Sequence, residues 1–364
     1  MDLNIPKVRL QNQQLAAQKF EKPEDVVTWF GAMQSQDFAA AKWAIALRCK
    51  KQTDASIEQA FNEGKILRTH VMRPTWHFVA PADIRWLLAL TAPRVHRFNG
   101  SYYRKSGLDT TIFQKSNTII RNALQGGKQL TRAELNIHLK DAHIPTAHLG
   151  LSFTIMQAEL DGIIVSGPRR GKQFTYMLLE ERVPKTISKT FDEALAELTK
   201  RYFQSHGPAQ VQDFSWWSGL TMTDCKKGIE MVRSTLQKSE QNGKTYWYNQ
   251  TEDPKISTDE TFLLPGFDEY FIAYTDRSDV LDKDYAKELN QGGGMVNGAV
   301  VVKGRMAGGW KREFKGKSVV LSLKLFEKLS AIQMKSLEQQ TKHFGNFLNM
   351  PLETKNIEFL VPRT

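Results

Sequence analysis

Cysteine is nearly absent: Cys49 and Cys225 are the only two in 364 residues. They lie far apart without metal-ligand spacing, which excludes a disulfide framework or a structural zinc and fits reduced thiols. Long apolar runs are missing as well. The most apolar stretch, "IRWLLALTA", spans nine residues and carries Arg85, far short of the roughly 20 residues of a membrane helix. The amino terminus, "MDLNIPKVRLQNQQ", has acid and amide where a secretion signal needs an apolar core. No low-complexity tract is present, and 41% apolar content is typical of ordered soluble proteins. These absences predict a cytoplasmic protein that does not engage a membrane, and no metal site.

Acid is the other shortage. Against 50 Lys+Arg there are 39 Asp+Glu, a net charge of +11. Between Pro93 and Thr175, twelve Lys/Arg face five Asp/Glu. A polyanionic partner is the first expectation, and a generally basic solvated surface is the bland alternative.

The length implies two to four folded units, and one small pattern recurs three times. The middle copy is clearest. "LTRAELNIHLKDAHI" opens on Thr131 and Glu134 as a capping box, with Leu135 and Leu139 on one helix face. A second helix follows in "GLSFTIMQAELDG", then a hairpin, "IIVSGPRRGKQFTYML", whose turn holds Arg169, Arg170 and Lys172. Helix, turn, helix and basic hairpin make a winged helix. In the third copy, three helical stretches punctuated by Gly207-Pro208 and Gly219 precede a hairpin turning at Asn242-Gly243. The first copy has helices around "PEDVVTWFGAM" and "SIEQAFNEG", then strands "ILRTHVM" and "TWHFV" turning at Arg73-Pro74, with almost no wing.

From Phe262 the texture becomes short apolar strands with glycine-rich connections, then a helix over Leu325 to Leu348, with "IEFL" as a last edge strand. Gly292-Gly293-Gly294 lacks the Lys-Ser/Thr of a phosphate loop and is expected to be a flexible hairpin tip. The expected architecture is mainly α with β: three tandem winged-helix units and a small carboxy-terminal β-rich, barrel-like domain. The boundaries fall at 1–110, 111–185, 186–252 and 253–364.

The chain resembles the winged-helix DNA glycosylases of the AlkZ and YcaQ type. The motifs that carry the resemblance run in order from about Val26 to Lys311: "MQSQD", "ILRTHVMRPTWHFVAPADIRWLLAL", "LTRAEL", "SGPRRGKQFTYML", "HGPAQVQDFSWWSGL" and "LLPGFDEYFIAYTDRS". Glycosylases of this family carry Gln-x-Gln or Gln-x-Asp as their catalytic signature. Gln34-Ser35-Gln36 matches the first form, with Ser35 where the family has an apolar residue. The resemblance implies a bacterial, nucleoid-associated DNA repair enzyme working on duplex DNA as a monomer without a cofactor. It also implies that Gln34 and Gln36 are the catalytic pair.

A glutamine can neither protonate a leaving base nor ionise to oppose a cation. An N7- or N3-alkylated purine removes that obstacle, because the base already carries positive charge and departs neutral. The carbonyls of Gln34 and Gln36 then have only to position a water and face the developing oxocarbenium ion. Residues i and i+2 diverge by about 200° on a helix but share a face when extended, so this chemistry requires the helix to end near Met33. Asp37 either caps a helix starting at Phe38 or serves the pair as a carboxylate. Arg73, Thr75 and His77 alternate on one strand face as possible pocket residues, and His77 fits a structural hydrogen bond equally well.

Arg169, Arg170 and Lys172 in the middle wing are candidate phosphate contacts, as are Lys311, Arg312, Lys315 and Lys317 in the β module. Asp268 and Arg277 are expected to form a structural pair. The competing readings are a nonenzymatic winged-helix DNA-binding protein and a protein-interaction scaffold. A sequence-reading regulator needs base-reading side chains on its recognition helix, and Leu151 to Leu160 offers only Gln157.

Overall fold

The computed structural model describes residues 3–16, 20–249, 260–286 and 298–359. Helix α1 (Ile5–Asn12) precedes the first unit, which contains α2 (Pro23–Phe30), β1 (Ala32–Gln34), α3 (Phe38–Ala46), α4 (Asp54–Asn62), β2 (Leu67–Val71) and β3 (Arg73–Val79). Proline in its first turn starts α2, and Gly31, at φ +79°, stops it, a conformation glycine adopts without a Cβ penalty. The helix therefore ends before either glutamine, and the chain continues as a strand. The three strands form an antiparallel sheet in the order β1-β3-β2. The chain reverses at Met72, φ +64°, one residue before the expected Arg73-Pro74 turn. Arg73 is already in β3, as the extended preference of a residue before proline favours.

Helix α5 (Ile84–Lys105) leads into the second unit. That unit comprises α6 (Thr110–Leu124), β4 (Leu130–Thr131), α7 (Arg132–Asp141), α8 (Gly150–Leu160), β5 (Ile164–Ser166), β6 (Thr175–Leu178) and the short α9 (Leu179–Arg182). Its capping box forms as expected: Thr131 Oγ1 accepts from the Glu134 amide at 3.2 Å, and Glu134 Oε2 accepts from the Thr131 amide at 2.6 Å. Leu135 and Leu139 pack with Ile155, Ala158, Ile164 and Leu178 in a core of their own.

The third unit has α10 (Phe191–Ser205), α11 (Val211–Ser218), α12 (Met222–Met231) and a hairpin of β7 (Leu236–Gln241) and β8 (Lys244–Asn249). Asn242 and Gly243 both take positive φ, as a two-residue type I′ turn demands. Leu195, Leu198, Tyr202 and Trp217 of this unit share one core with Leu67, Val71 and Val79 of the first. Gly219 ends α11 so close to the β2–β3 reversal that a Cβ there would stand 2.3 Å from the Met72 carbonyl oxygen.

The carboxy-terminal part holds β9 (Thr261–Leu264), α13 (Glu269–Ile272), β10 (Gly298–Val302), β11 (Arg305–Lys315), β12 (Ser318–Leu325), α14 (Ala331–Leu348) and β13 (Leu352–Phe359). Here the expected fold class is overturned. The fold is mixed α and β with winged-helix-like repeats, and its last sheet is open, in the order β13-β12-β11-β10-β9. A barrel requires the two edge strands to pair, and among the described residues β9 and β13 do not. The cause is the connection between β12 and β13. These strands are parallel, so a crossover must join them, and that crossover is α14. Its Leu337, Phe344 and Phe347 are buried in one core with Leu263, Val300 and Leu321 of the sheet, burying its apolar face without closure. The helix starts at Ala331, later than expected, because β12 runs to Leu325 and Ser330 caps the helix. Gly292-Gly293-Gly294 lies outside the described residues.

Candidate active site on the first three-stranded sheet

Gln34 ends β1, directly opposite His77 of β3, which in turn lies opposite Thr69 of β2. The three side chains thus form one row on one face of the sheet. Thr75 and Arg73 continue that face along β3. Burial alternates along the glutamine segment: Gln34 is partly buried, Ser35 buried and Gln36 exposed.

Three backbone groups of Gln34 and Ser35 are tied down. The Ser35 amide donates to Trp76 O at 2.8 Å. Ser35 O accepts from Arg68 Nε at 3.1 Å and Nη2 at 3.0 Å. Arg68 lies between the rings of Trp76 and Phe174, 4.4 and 4.6 Å from their centroids, and burial lowers it to about 10, which leaves it charged at neutral pH. The Gln34 amide points off the free edge of β1 and donates to Glu269 Oε1 at 2.7 Å.

Glu269 is 1% exposed. Its other oxygen accepts from Trp217 Nε1 at 2.9 Å and His206 Nε2 at 3.4 Å, both in the third unit. Burial alone would raise this carboxyl. The hydrogen bonds from His206 and from the Gln34 amide outweigh it and hold Glu269 below the usual carboxylate range. One carboxylate so joins the first unit, the third unit and the carboxy-terminal part.

The face bearing Gln34 is rich in polar atoms that the protein does not satisfy. Gln34 Oε1, Thr69 Oγ1, Thr75 Oγ1, His77 Nε2, and Arg73 Nε and Nη2 are buried without a hydrogen-bond partner among the described residues. Such atoms are rare in native proteins and cost about 1–3 kcal/mol each unless something else meets them. His77 Nδ1 lies 2.9 Å from Thr75 O. A carbonyl only accepts, so Nδ1 carries the proton and Nε2 presents a lone pair. Burial, reinforced by Arg73, pushes His77 down to about 3, and the ring is neutral at physiological pH. The Arg73 guanidinium lies 5.7 Å from the ring of Trp216, which is 48% exposed.

Asp37 accepts from the Ala40 amide at 3.0 Å and caps α3. In the wing, Arg169 is occupied: it pairs with Glu58 at 3.2 Å, donates to Lys172 O and lies over Phe38 and Phe174. Arg170 is half exposed and bonded to Glu134 at 2.7 Å. The side chain of Lys172 is exposed and makes no ion pair among the described residues. On β11, Lys311 and Lys315 are exposed, as is Lys317 just beyond it, while Lys315 reaches Glu313 at 3.4 Å and Arg312 lies 5.7 Å from the Phe314 ring.

The expected Asp268–Arg277 pair does not form. Asp268 instead takes a two-pronged bond from Arg48, at 2.7 and 2.9 Å, with both side chains fully buried. Arg277 donates to Phe271 O.

Three residues of the site escaped sequence reasoning. Glu269 stands inside the apolar run "LLPGFDEYFIAY", where a carboxylate needs buried partners. Arg68 and Thr69 interrupt a buried strand, and the same signal applies.

Helix α8, the second helix of the middle unit, is buried from Thr154 to Leu160, and Gln157 donates to Asp161. Its apolar and polar side chains alike face the protein, so this segment cannot enter a major groove to read bases.

Comparison with known proteins places these observations. A family model described as DNA glycosylase AlkZ-like matches residues 27–347. An interstrand DNA cross-link repair glycosylase of Streptomyces sahachiroi is 24% identical over 350 residues, covering 92% of this chain and 93% of that protein. The structure of Streptomyces sahachiroi DNA glycosylase AlkZ shares the fold, with a TM-score of 0.80 and 21% identity across 97% of this chain and 98% of the other.

Proposed function

Since the chain belongs to the AlkZ-like DNA glycosylase family, we propose that it is a monofunctional glycosylase. It hydrolyses the N-glycosyl bond of cationic N7- or N3-alkylated purines in duplex DNA, bulky and crosslinked adducts included. The observation that carries this reading is the placement of the glutamines. Helix α2 ends at Phe30, the chain is extended by Ala32–Gln34, and the Gln34 side-chain oxygen has no partner among the described residues.

In this mechanism the C1′–N bond breaks with its electron pair passing to the base, which leaves neutral. Water adds to C1′ and its proton passes to solvent. No lysine adduct forms, and no general acid is required. The carbonyl dipoles of Gln34 and Gln36 hold the water and oppose the positive charge that develops on the sugar. Asp37 caps a helix, Arg73 and Thr75 line the approach, and Glu269 and Arg68 hold the segment in place.

Arg170, Lys172, Lys311, Arg312, Lys315 and Lys317 supply phosphate contacts, with Arg169 bracing the wing behind them. Such contacts bind DNA without reading sequence, which suits an enzyme that must work wherever a lesion lies. The test is release of 7-methylguanine from a labelled duplex by the wild type and by the Gln34→Ala/Gln36→Ala double variant. Release by the wild type alone supports the proposal. No release by either, with DNA binding intact, supports a nonenzymatic DNA-binding protein.

A further inference from the structure

Water has two hydrogens, and the geometry points to His77 Nε2 as the acceptor of the second. We propose that the nucleophilic water donates one hydrogen to Gln34 Oε1 and the other to His77 Nε2, leaving the Gln36 carbonyl to oppose the cationic sugar. This assignment rests on the glycosylase reading above and divides the labour within the same site.

The strand register places the two acceptors together. Gln34 and His77 are paired across β1 and β3. The neighbouring Ser35 amide bonds to Trp76 O, whereas the Gln34 amide points away to Glu269. Gln34–His77 is therefore a non-hydrogen-bonded pair, the closer kind, with Cα atoms about 4.5 Å apart and both side chains on one face. Both side chains present buried oxygen or nitrogen atoms without a partner among the described residues, and His77 itself is fully buried.

These two atoms cannot satisfy each other. The amide oxygen accepts only, and the imidazole nitrogen accepts because the proton sits on Nδ1, fixed by Thr75 O. Two unpartnered acceptors on neighbouring residues of one face can share a donor of two hydrogens, and water is the smallest. Thr69 lies opposite His77 on the far side, and its unpartnered hydroxyl has a hydrogen to donate to that water. A water whose hydrogens are both engaged turns a lone pair outward, as attack on C1′ requires. Attack forms the O–C1′ bond as the C1′–N electrons leave with the base, and the water's proton reaches solvent.

The experiment uses the full chain and a duplex carrying one 7-methylguanine. Single-turnover release is measured at saturating enzyme for the wild type, His77→Phe, which keeps a ring but no acceptor, and His77→Gln, which restores an acceptor at similar reach. Affinity for undamaged duplex and urea unfolding are measured on all three.

His77→Phe is expected to release base about 100-fold more slowly, within the 10²–10³ range for loss of one positioned group, with duplex affinity within about two-fold. His77→Gln is expected to recover to within about ten-fold of the wild type. Wild-type rates in His77→Phe would overturn the assignment, as would a folded, DNA-binding His77→Gln as slow as His77→Phe. If His77→Phe does not fold, the Gln variant decides alone: near-wild-type release supports the assignment, and a roughly 100-fold loss in a folded protein refutes it. No release by the wild type refutes the glycosylase reading itself and this assignment with it.

Discussion

Replacing Glu269 with alanine tests whether one carboxylate holds the site together. It accepts hydrogen bonds from the Gln34 amide at 2.7 Å, Trp217 Nε1 at 2.9 Å and His206 Nε2 at 3.4 Å. The two shorter bonds are the strong ones. Glu269→Ala leaves both of those donors buried without an acceptor, at about 1–3 kcal/mol each. The deleted side chain adds a small void, and the weaker His206 bond is lost too. The expected loss is about 3–5 kcal/mol, the range found when one partner of a buried charged network is removed. Urea unfolding gives it directly, read as the shift in midpoint at constant slope. At urea concentrations where the variant remains folded, release of 7-methylguanine should also fall by at least about ten-fold, since small displacements of a positioned group are costly in rate. A stability loss under about 1 kcal/mol would refute the reasoning, because it would mean that these donors are met by something other than Glu269.

Two further predictions concern pH and charge. His77, held at about 3 in the folded protein, takes up a proton only in the unfolded chain once pH falls below its ordinary value. Its contribution is therefore full above that value and is lost as pH drops towards 3. Between pH 7.5 and pH 5 the wild type should lose about 2 kcal/mol through this group, His206 adding in the same direction. His77→Phe should lose about 2 kcal/mol less over the same interval, measured by urea unfolding at both pH values; an equal loss in both proteins would contradict the assignment of a neutral buried ring. In the wing, Lys172→Ala should leave stability unchanged and reduce the slope of log affinity against log salt by about one. Arg169→Ala, which breaks the Glu58 pair and the packing over Phe38 and Phe174, should instead cost about 2 kcal/mol of stability. A reversed pattern, with Arg169 governing the salt slope and Lys172 the stability, would contradict this division.

Much of the fold was legible because its signals are local. Thr131 and Glu134 announce a helix start, and Asn242-Gly243 announces a tight hairpin, through the backbone conformations those residues prefer. The end of α2 was not read this way: "PEDVVTWFGAM" carries the expected helix to Met33, and Gly31 stops it after Phe30. The open sheet was not legible, because closure depends on which strands meet after a long crossover, and no residue of β9 or β13 encodes that by itself.

In the site, the shared face of Arg73, Thr75 and His77 on β3 followed from the alternation of strand residues, while β1 was hidden in "PEDVVTWFGAM", whose apolar pattern reads as helix to Met33. Glu269 was not legible either, since it is 235 residues from the Gln34 amide it holds. Arg48 and Asp268 likewise meet across 220 residues. Asp268 had a nearer basic candidate in Arg277, and only tertiary packing rejects it. Arg169 shows the converse error: a wing arginine has the sequence of a phosphate contact whether or not a glutamate from another element lies beside it.

Cleavage by a pair of neutral amides depends on the leaving base being positively charged before the bond breaks. The most direct measurement compares wild-type release of 7-methylguanine with release of 7-methyl-7-deazaguanine from the same duplex position, a base of similar shape that carries no positive charge. Release of 7-methylguanine with none of the deaza base is the predicted result. Comparable rates for the two would contradict it, because neutral amides alone would then be expelling a base that needs a proton to leave.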